Sequence, residues 1–292
     1  QLQLSELNIH DAKVEKPLLQ LIAIKHVQSV VIKTCTLMNV SGSAISLTQS
    51  SRIYILTSTF QYIKSISKAP ISIFFHFSSS KVQFYFSCIH SSFLSCESKT
   101  EAGGVALMLS SNKRERYILF HHSVSIHFLK NLFSQCTTSS NGGAFLFQIQ
   151  NASCKDFTDS TTLFLQQAWL EHHSVDKQLD FLFDLFKIHS NISIIRCKFM
   201  QNTANWFGGG IHIIGAVELR VINSIFHSNQ ALKGGAFYIK SSKTLDFEKC
   251  NFIQNIAGEY GGSISIVQIA TVKQIRCRAI GNTAKYRGGH MF

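Results

Sequence analysis

A chain of 292 residues that is 45% apolar, 15% charged and carries only two prolines has the composition of a strand-rich folded protein and excludes a disordered or collagen-like one. Its net charge of +12 points to acidic partners, and no run of apolar residues is long enough to span a bilayer. The chain has no C-x-x-C metal pattern, G-x-S-x-G elbow or Walker-type loop, so the strong signals for zinc, acyl-transfer and nucleotide chemistry are missing and no cofactor is expected.

In chain order, the first faint unit is Cys35-x-Leu37 followed by Gly42-Ser43-Ala44-Ile45. Phe93-Leu94-Ser95-Cys96 then precedes Gly103-Gly104-Val105, and Phe133-Ser134-Gln135-Cys136 precedes Gly142-Gly143-Ala144-Phe145. An insertion is expected over 155–187. Within it Asp176, Asp180 and Asp184 recur at helical spacing opposite Leu179, Leu182, Phe183 and Phe186, which predicts one short helix. Glycine pairs at 103, 142 and 208 stand 39 and 66 residues apart, which predicts one and then two coils, each with about a dozen inserted residues.

From 191 to 292 the pattern is most regular. Phe199-x-x-Asn202 precedes Gly208-Gly209, Phe226-x-x-Asn229 precedes Gly234-Gly235, and Phe252-x-x-Asn255 precedes Gly261-Gly262; a last copy pairs Asn282 with Gly288-Gly289. The asparagines are 27, 26 and 27 apart, a period that means one small unit repeated along an axis. Alternating strands such as Leu219-x-Val221 and two or three tight bends fill each period and leave no room for a crossover helix. The expected fold is all-β: a right-handed parallel β-helix of about nine or ten coils spanning 1–292 as a single segment of a longer protein. Stacked Asn, Ser and Cys should hydrogen-bond along the axis, and each glycine pair should mark a tight turn and a close approach between coils. Cys197, Cys250 and Cys277 share one repeat position with Ser224, and Cys96 and Cys136 share the later asparagine position. They read as stacked buried side chains, and their redox state stays open. Arg220, Asp246 and Lys273 should align in an outward plus-minus-plus column.

The F-x-x-N and G-G-A-[ILVF] motifs, as in Gly234-Gly235-Ala236-Phe237 and Gly142-Gly143-Ala144-Phe145, resemble the repeats of the polymorphic outer-membrane protein family, found in chlamydial adhesins and in large surface proteins of protists. The resemblance is best over Asn191 to Phe292. It implies a pectin-lyase-like right-handed β-helix serving as an extracellular or cell-surface stalk, with any membrane attachment made through flanking segments.

For function, the cations Lys273, Arg276, Arg278, Lys285 and Arg287 fall in a stretch from Tyr260 to Phe292 that holds no acid, and Lys113, Arg114 and Arg116 form a second cluster. They suggest an anionic-ligand patch that meets an acidic glycan or another surface protein. No interleaved aromatic surface suggests nucleic acid. The competing reading is a carbohydrate-active β-helix enzyme, which would need several carboxylates converging in one groove. Asp246 and Glu248 are flanked by cations, and the adjacent pairs His121-His122 and His172-His173 lack metal spacing. The sequons at Asn39, Asn151 and Asn191 are compatible with secretion. A non-catalytic spacer, adhesin or binding scaffold is therefore the expected role.

Overall fold

The computed structural model describes residues 1–10, 20–66, 68–77, 83–111, 122–151, 188–215 and 218–292, and every regular element in them is a β-strand. Alternation explains the architecture. In Glu218–Ile222 the side chains of Leu219 and Val221 are buried while Glu218 and Arg220 are exposed, so one face must find an apolar partner. It finds it in a core enclosed by the other strands of its own turn. Its edges pair in parallel with the equivalent strands of neighbouring turns, Ile192↔Leu219 on one side and Leu219↔Leu245 on the other.

Each turn visits up to four strand positions. The first runs from Leu2–Ser5 through Ser29–Lys33, Arg52–Leu56, Gln83–Ile89, His122–Leu129 and Ile188–Ile195 to Glu218–Ile222. The second is a nine-stranded sheet from Asn8–His10 to Arg278–Ile280, and the third a seven-stranded sheet from Lys64–Ser65 to Thr283–Ala284. The fourth runs from Gln20–Lys25 through Ser43–Thr48, Ile71–Phe77, Val105–Ser111 and Phe145–Asn151 to Ile211–Ile214. Phe237–Glu248 and Ile264–Ile275 pass straight from fourth to first position and so fuse the two ladders into one 15-stranded sheet. Nine strands in the second sheet count nine turns, and the fold is the expected parallel β-helix. The short helix expected within the insertion lies outside the described residues, as do Lys113, Arg114, Arg116 and the aspartates at 176, 180 and 184.

The structure corrects the coil count in the middle. Leu132↔Lys198 and Phe133↔Phe199 are direct partners, so the 66 residues between Gly142 and Gly208 make one turn and not two. His122–Leu129 pairs directly with Ile188–Ile195, leaving no rung for an extra coil. A smaller correction concerns Gly103-Gly104: Val105 pairs with Phe145, so Gly103 matches Gly143 and Ala102 takes the place of Gly142.

Three columns of side chains run through the stack. Phe60, Phe93, Phe133, Phe199, Phe226 and Phe252 form a continuous file, with centroids 4.7–5.2 Å apart and planes within 12° of parallel. Each offset pair contributes about 1 kcal/mol beyond its burial. Cys35, Ser58, Ser91, Asn131, Cys197, Ser224, Cys250 and Cys277 make a second file of small side chains. In it the Cys35 and Ser58 amides donate to Ser58 Oγ and Ser91 Oγ at 3.2 Å, and Cys197 N–H donates to Ser224 Oγ at 3.1 Å. The described cysteines are free, and burial pushes the thiols of Cys197 and Cys250 up to about 11 and about 12, so they stay protonated.

The third file is Asn202, Asn229, Asn255 and Asn282, whose Nδ2 groups each donate to the next Oδ1 at 2.9 Å. Asn229 is completely satisfied. Its Nδ2 donates to Asn255 Oδ1 and to the Phe199 carbonyl, and its Oδ1 accepts from the Asn202 amide and Asn202 Nδ2.

Two bends per turn are single residues with left-handed backbone. The first is at Glu6, Thr34, Thr57, His90, Lys130, Arg196, Asn223, Lys249 and Arg276, with φ between 49° and 56°. Such a conformation costs a non-glycine residue about 1 kcal/mol. It is held because each bend amide donates across turns, as Lys249 N–H does to the Ile275 carbonyl at 2.8 Å.

The glycine pairs divide their labour. Gly234 has φ of +66°, while a Cβ on Gly235 would lie 2.2 Å from the Gly262 carbonyl oxygen of the next turn. One glycine shapes the bend and the other permits the approach of the neighbouring coil.

A candidate surface for anionic ligands

The predicted column Arg220, Asp246, Lys273 exists: Arg220↔Asp246 and Asp246↔Lys273 are register partners. The ion pair of Arg220 is made with Glu248 at 3.8 Å, and Glu248 also meets Lys249 at 3.3 Å. These acids are bound into a cationic surface. Among the described residues no group of three or more His, Cys, Asp or Glu is placed to hold a metal. Glu101 is the acid whose burial raises its pKa, opposed by the Ala69 amide, which donates to Glu101 Oε2 at 2.9 Å, by Ser72 and by Lys68. Its carboxylate ties one turn to the turn before it.

The five cations predicted as one patch divide into two groups. Lys273 lies on the first strand position, Arg276 at the bend and Arg278 on the second strand position, so these three bracket one corner of the last turn. Lys285 and Arg287 lie beyond the third strand position, in the strap that leads to Gly288-Gly289, and line a separate cleft.

The corner group belongs to a larger feature that the linear sequence hides. The bend residues of the last five turns are Lys130, Arg196, Asn223, Lys249 and Arg276, all exposed and stacked one turn apart through the bonds Lys130 N–H to Ile195 O, Arg196 N–H to Ile222 O, Asn223 N–H to Glu248 O and Lys249 N–H to Ile275 O. Turns of a parallel stack rise about 4.8 Å each. Lys198 and Arg278 flank this line on the second strand position, and Arg220 and Lys273 flank it on the first. Glu218, Asp246 and Glu248 are the acids among them. The same bend in the first four turns holds Glu6, Thr34, Thr57 and His90, so the cationic ridge is a property of the C-terminal turns. The sequence signal was available: each ridge residue directly precedes a member of the small-residue file.

The cleft beside Lys285 and Arg287 has a volume near 650 Å³ and is bounded also by Lys233, Tyr238, Tyr260, Ser265, Val267, Tyr286 and Phe292. Phe207, Lys233, Tyr260 and Arg287 are successive partners across turns, so rings and cations alternate along its side. Lys233 Nζ sits 6.0 Å and 5.5 Å from the Phe207 and Tyr260 ring centroids and 3.4 Å from the Glu259 carboxylate. Burial pushes the Tyr238 hydroxyl up, opposed by Lys233, so it stays protonated.

No family model matches the chain, and no solved structure matches it. A stretch of 104 residues, 36% of the chain, is 31% identical to the metabotropic glutamate receptor-like protein Q of Dictyostelium discoideum. That stretch spans 8% of the receptor-like protein's length.

Proposed function

We propose that this domain is a non-catalytic scaffold displayed outside the cell or on its surface, and that its basic ridge holds a linear acidic glycan lying along the stack axis. The observation that carries the reading is the register of the ridge. Lys130, Arg196, Lys249 and Arg276 occupy one bend of successive turns with one neutral gap at Asn223, flanked by Lys198, Arg220, Lys273 and Arg278. A rigid row of cations at a regular rise is complementary to a chain of regularly spaced sulfates or carboxylates, and rigid presentation lowers the ordering cost of binding. The likeness to part of a receptor-like protein and the resemblance of the repeats to those of surface adhesins support an exposed, ligand-meeting placement. Another surface protein with an acidic stripe would use the same complementarity.

A sulfated oligosaccharide titrated at rising salt tests this. Affinity is expected to fall as salt screens the ridge. The triple variant Arg196→Gln, Arg276→Gln, Arg278→Gln, confirmed as folded by its thermal transition, is expected to bind at least tenfold more weakly. Binding that ignores salt, or a triple variant that binds like the parent, overturns the ridge as the binding surface.

A further inference from the structure

The cleft on the other side of the turn is chemically unlike the ridge. Its floor comes from one column of outward positions on the fourth strand, His212↔Tyr238↔Ser265, continued one turn on beside the Ile264↔Met291 bridge by Phe292. Where the neighbouring turns place the rings of Tyr238 and Phe292, Ser265 is small, and a notch two turns wide opens, about 10 Å along the axis. Tyr260 stacks on Phe292 with centroids 4.7 Å apart, closing one wall. Tyr286 is 58% exposed and Phe292 49% exposed, so both offer ring faces to a ligand.

The rim is cationic. Lys233 is already engaged by Glu259 and two rings. Among the described residues neither Lys285 nor Arg287 has a carboxylate within ion-pair distance; both are exposed, and Lys285 Nζ stands 5.3 Å from the Tyr286 ring centroid. The notch therefore combines exposed aromatic faces, two uncommitted cations and the hydroxyls of tyrosines and Ser265. That set matches one ligand chemistry: a polyhydroxylated ring whose C–H face stacks on an aromatic ring and whose acidic group meets a guanidinium or ammonium. We infer that this cleft is a second, ring-selective site that takes a single acidic sugar unit, a uronate or a sulfated hexose. It goes beyond the ridge, which reads charge spacing along a chain and has no exposed ring among its members. Nucleotide bases fit less well, because Tyr260 and Phe292 stack on each other and leave no gap between them for a base.

The test uses the protein with a glucuronate-containing tetrasaccharide, the same tetrasaccharide with its carboxylates reduced to alcohols, benzoate, and a short single-stranded oligodeoxynucleotide. Binding is read from tyrosine fluorescence and from chemical-shift changes. The acidic tetrasaccharide is expected to bind at least tenfold more tightly than each of the other three. Arg287→Gln and Tyr286→Ala, both at exposed side chains, are each expected to weaken it at least fivefold with the thermal transition unchanged. The ridge triple variant is expected to leave this binding within twofold of the parent. Equal binding of the reduced sugar, of benzoate or of the oligonucleotide overturns the inference. So does no change in the cleft variants. Loss confined to the ridge variant overturns the cleft while leaving the ridge reading intact, and loss in the cleft variants alone supports the cleft whatever the ridge does.

Discussion

At the second bend of each turn the last four turns carry Asn202, Asn229, Asn255 and Asn282, whereas the turns before them carry Val40, Ile63, Cys96 and Cys136. The backbone path hardly changes between the two regions: Glu97 pairs with Lys64 and Thr137 with Thr203 in one unbroken sheet. A buried amide ladder and an apolar filling are thus alternative ways of occupying one site, and parallel pairing with stacked phenylalanines suffices for the coil. What differs is what each region tolerates. An apolar position accepts another apolar side chain of similar volume, while a ladder of amides must be complete or it strands buried polar groups.

The largest effect should come from breaking the ladder. Asn229→Leu leaves Asn202 Nδ2 and amide, the Phe199 carbonyl and Asn255 Oδ1 short of a partner. It should lower stability to urea by about 4 kcal/mol. Cys96→Val at the equivalent early site should cost about 1 kcal/mol. Equal losses at the two sites would show that the amides act as mere filling.

Glycine gives a similar contrast. Ser43 and Ala69 occupy in early turns the position of Gly103, Gly143, Gly209 and Gly235. Gly235→Ala should cost about 3 kcal/mol, because its Cβ would meet the Gly262 carbonyl at 2.2 Å. Ala69→Gly should cost about 1 kcal/mol or less in a parallel urea titration.

An effect near 2 kcal/mol should appear with acid. His212 is buried between Phe207 and Tyr238 with neither ring nitrogen hydrogen-bonded, and burial lowers its pKa from 6.5 to about 3. The folded state holds it neutral while the unfolded chain takes a proton below 6.5, so its contribution is full above 6.5 and declines as pH falls towards 3. About 2 kcal/mol should be lost by pH 5. His212→Leu, which copies Leu146 one turn earlier in the same column, should flatten that part of the stability profile. A variant with an undiminished slope would place the titration elsewhere.

The smallest effect concerns the second bend. Gln254 has φ of 51° where the following turn has Gly281. Gln254→Gly should raise the thermal midpoint by the equivalent of about 1 kcal/mol. Asn39→Gly at the same bend in an early turn should change little, because asparagine already accepts that conformation.

Much of the fold was legible in the sequence where columns repeat at a fixed interval. The Phe, Asn and Gly-Gly files from Phe199 onward are found by counting, because nothing is inserted between them. The stretch between Gly142 and Gly208 misled the count because residue number measures contour length, while the stack responds only to register. The surface was half legible. Arg276 and Arg278 are neighbours in sequence and stand out, but Lys130, Arg196 and Lys249 join them only once separations of 27 to 66 residues collapse to a single rise. The alternation of Phe207, Lys233, Tyr260 and Arg287 was hidden for the same reason.

One further regularity lies in where chain has been added. Segments 78–82, 112–121, 152–187 and 216–217 all interrupt the passage from fourth to first strand position, whereas Phe237–Glu248 and Ile264–Ile275 cross that passage without a break. That edge acts as a mounting rail. Length grafted there enters and leaves at points already pinned by the flanking ladders, so cargo can be swapped at a chosen height without altering the shaft beneath it. Replacing Lys240–Lys243 in the uninterrupted seventh turn with a foreign epitope is the natural place to exploit this.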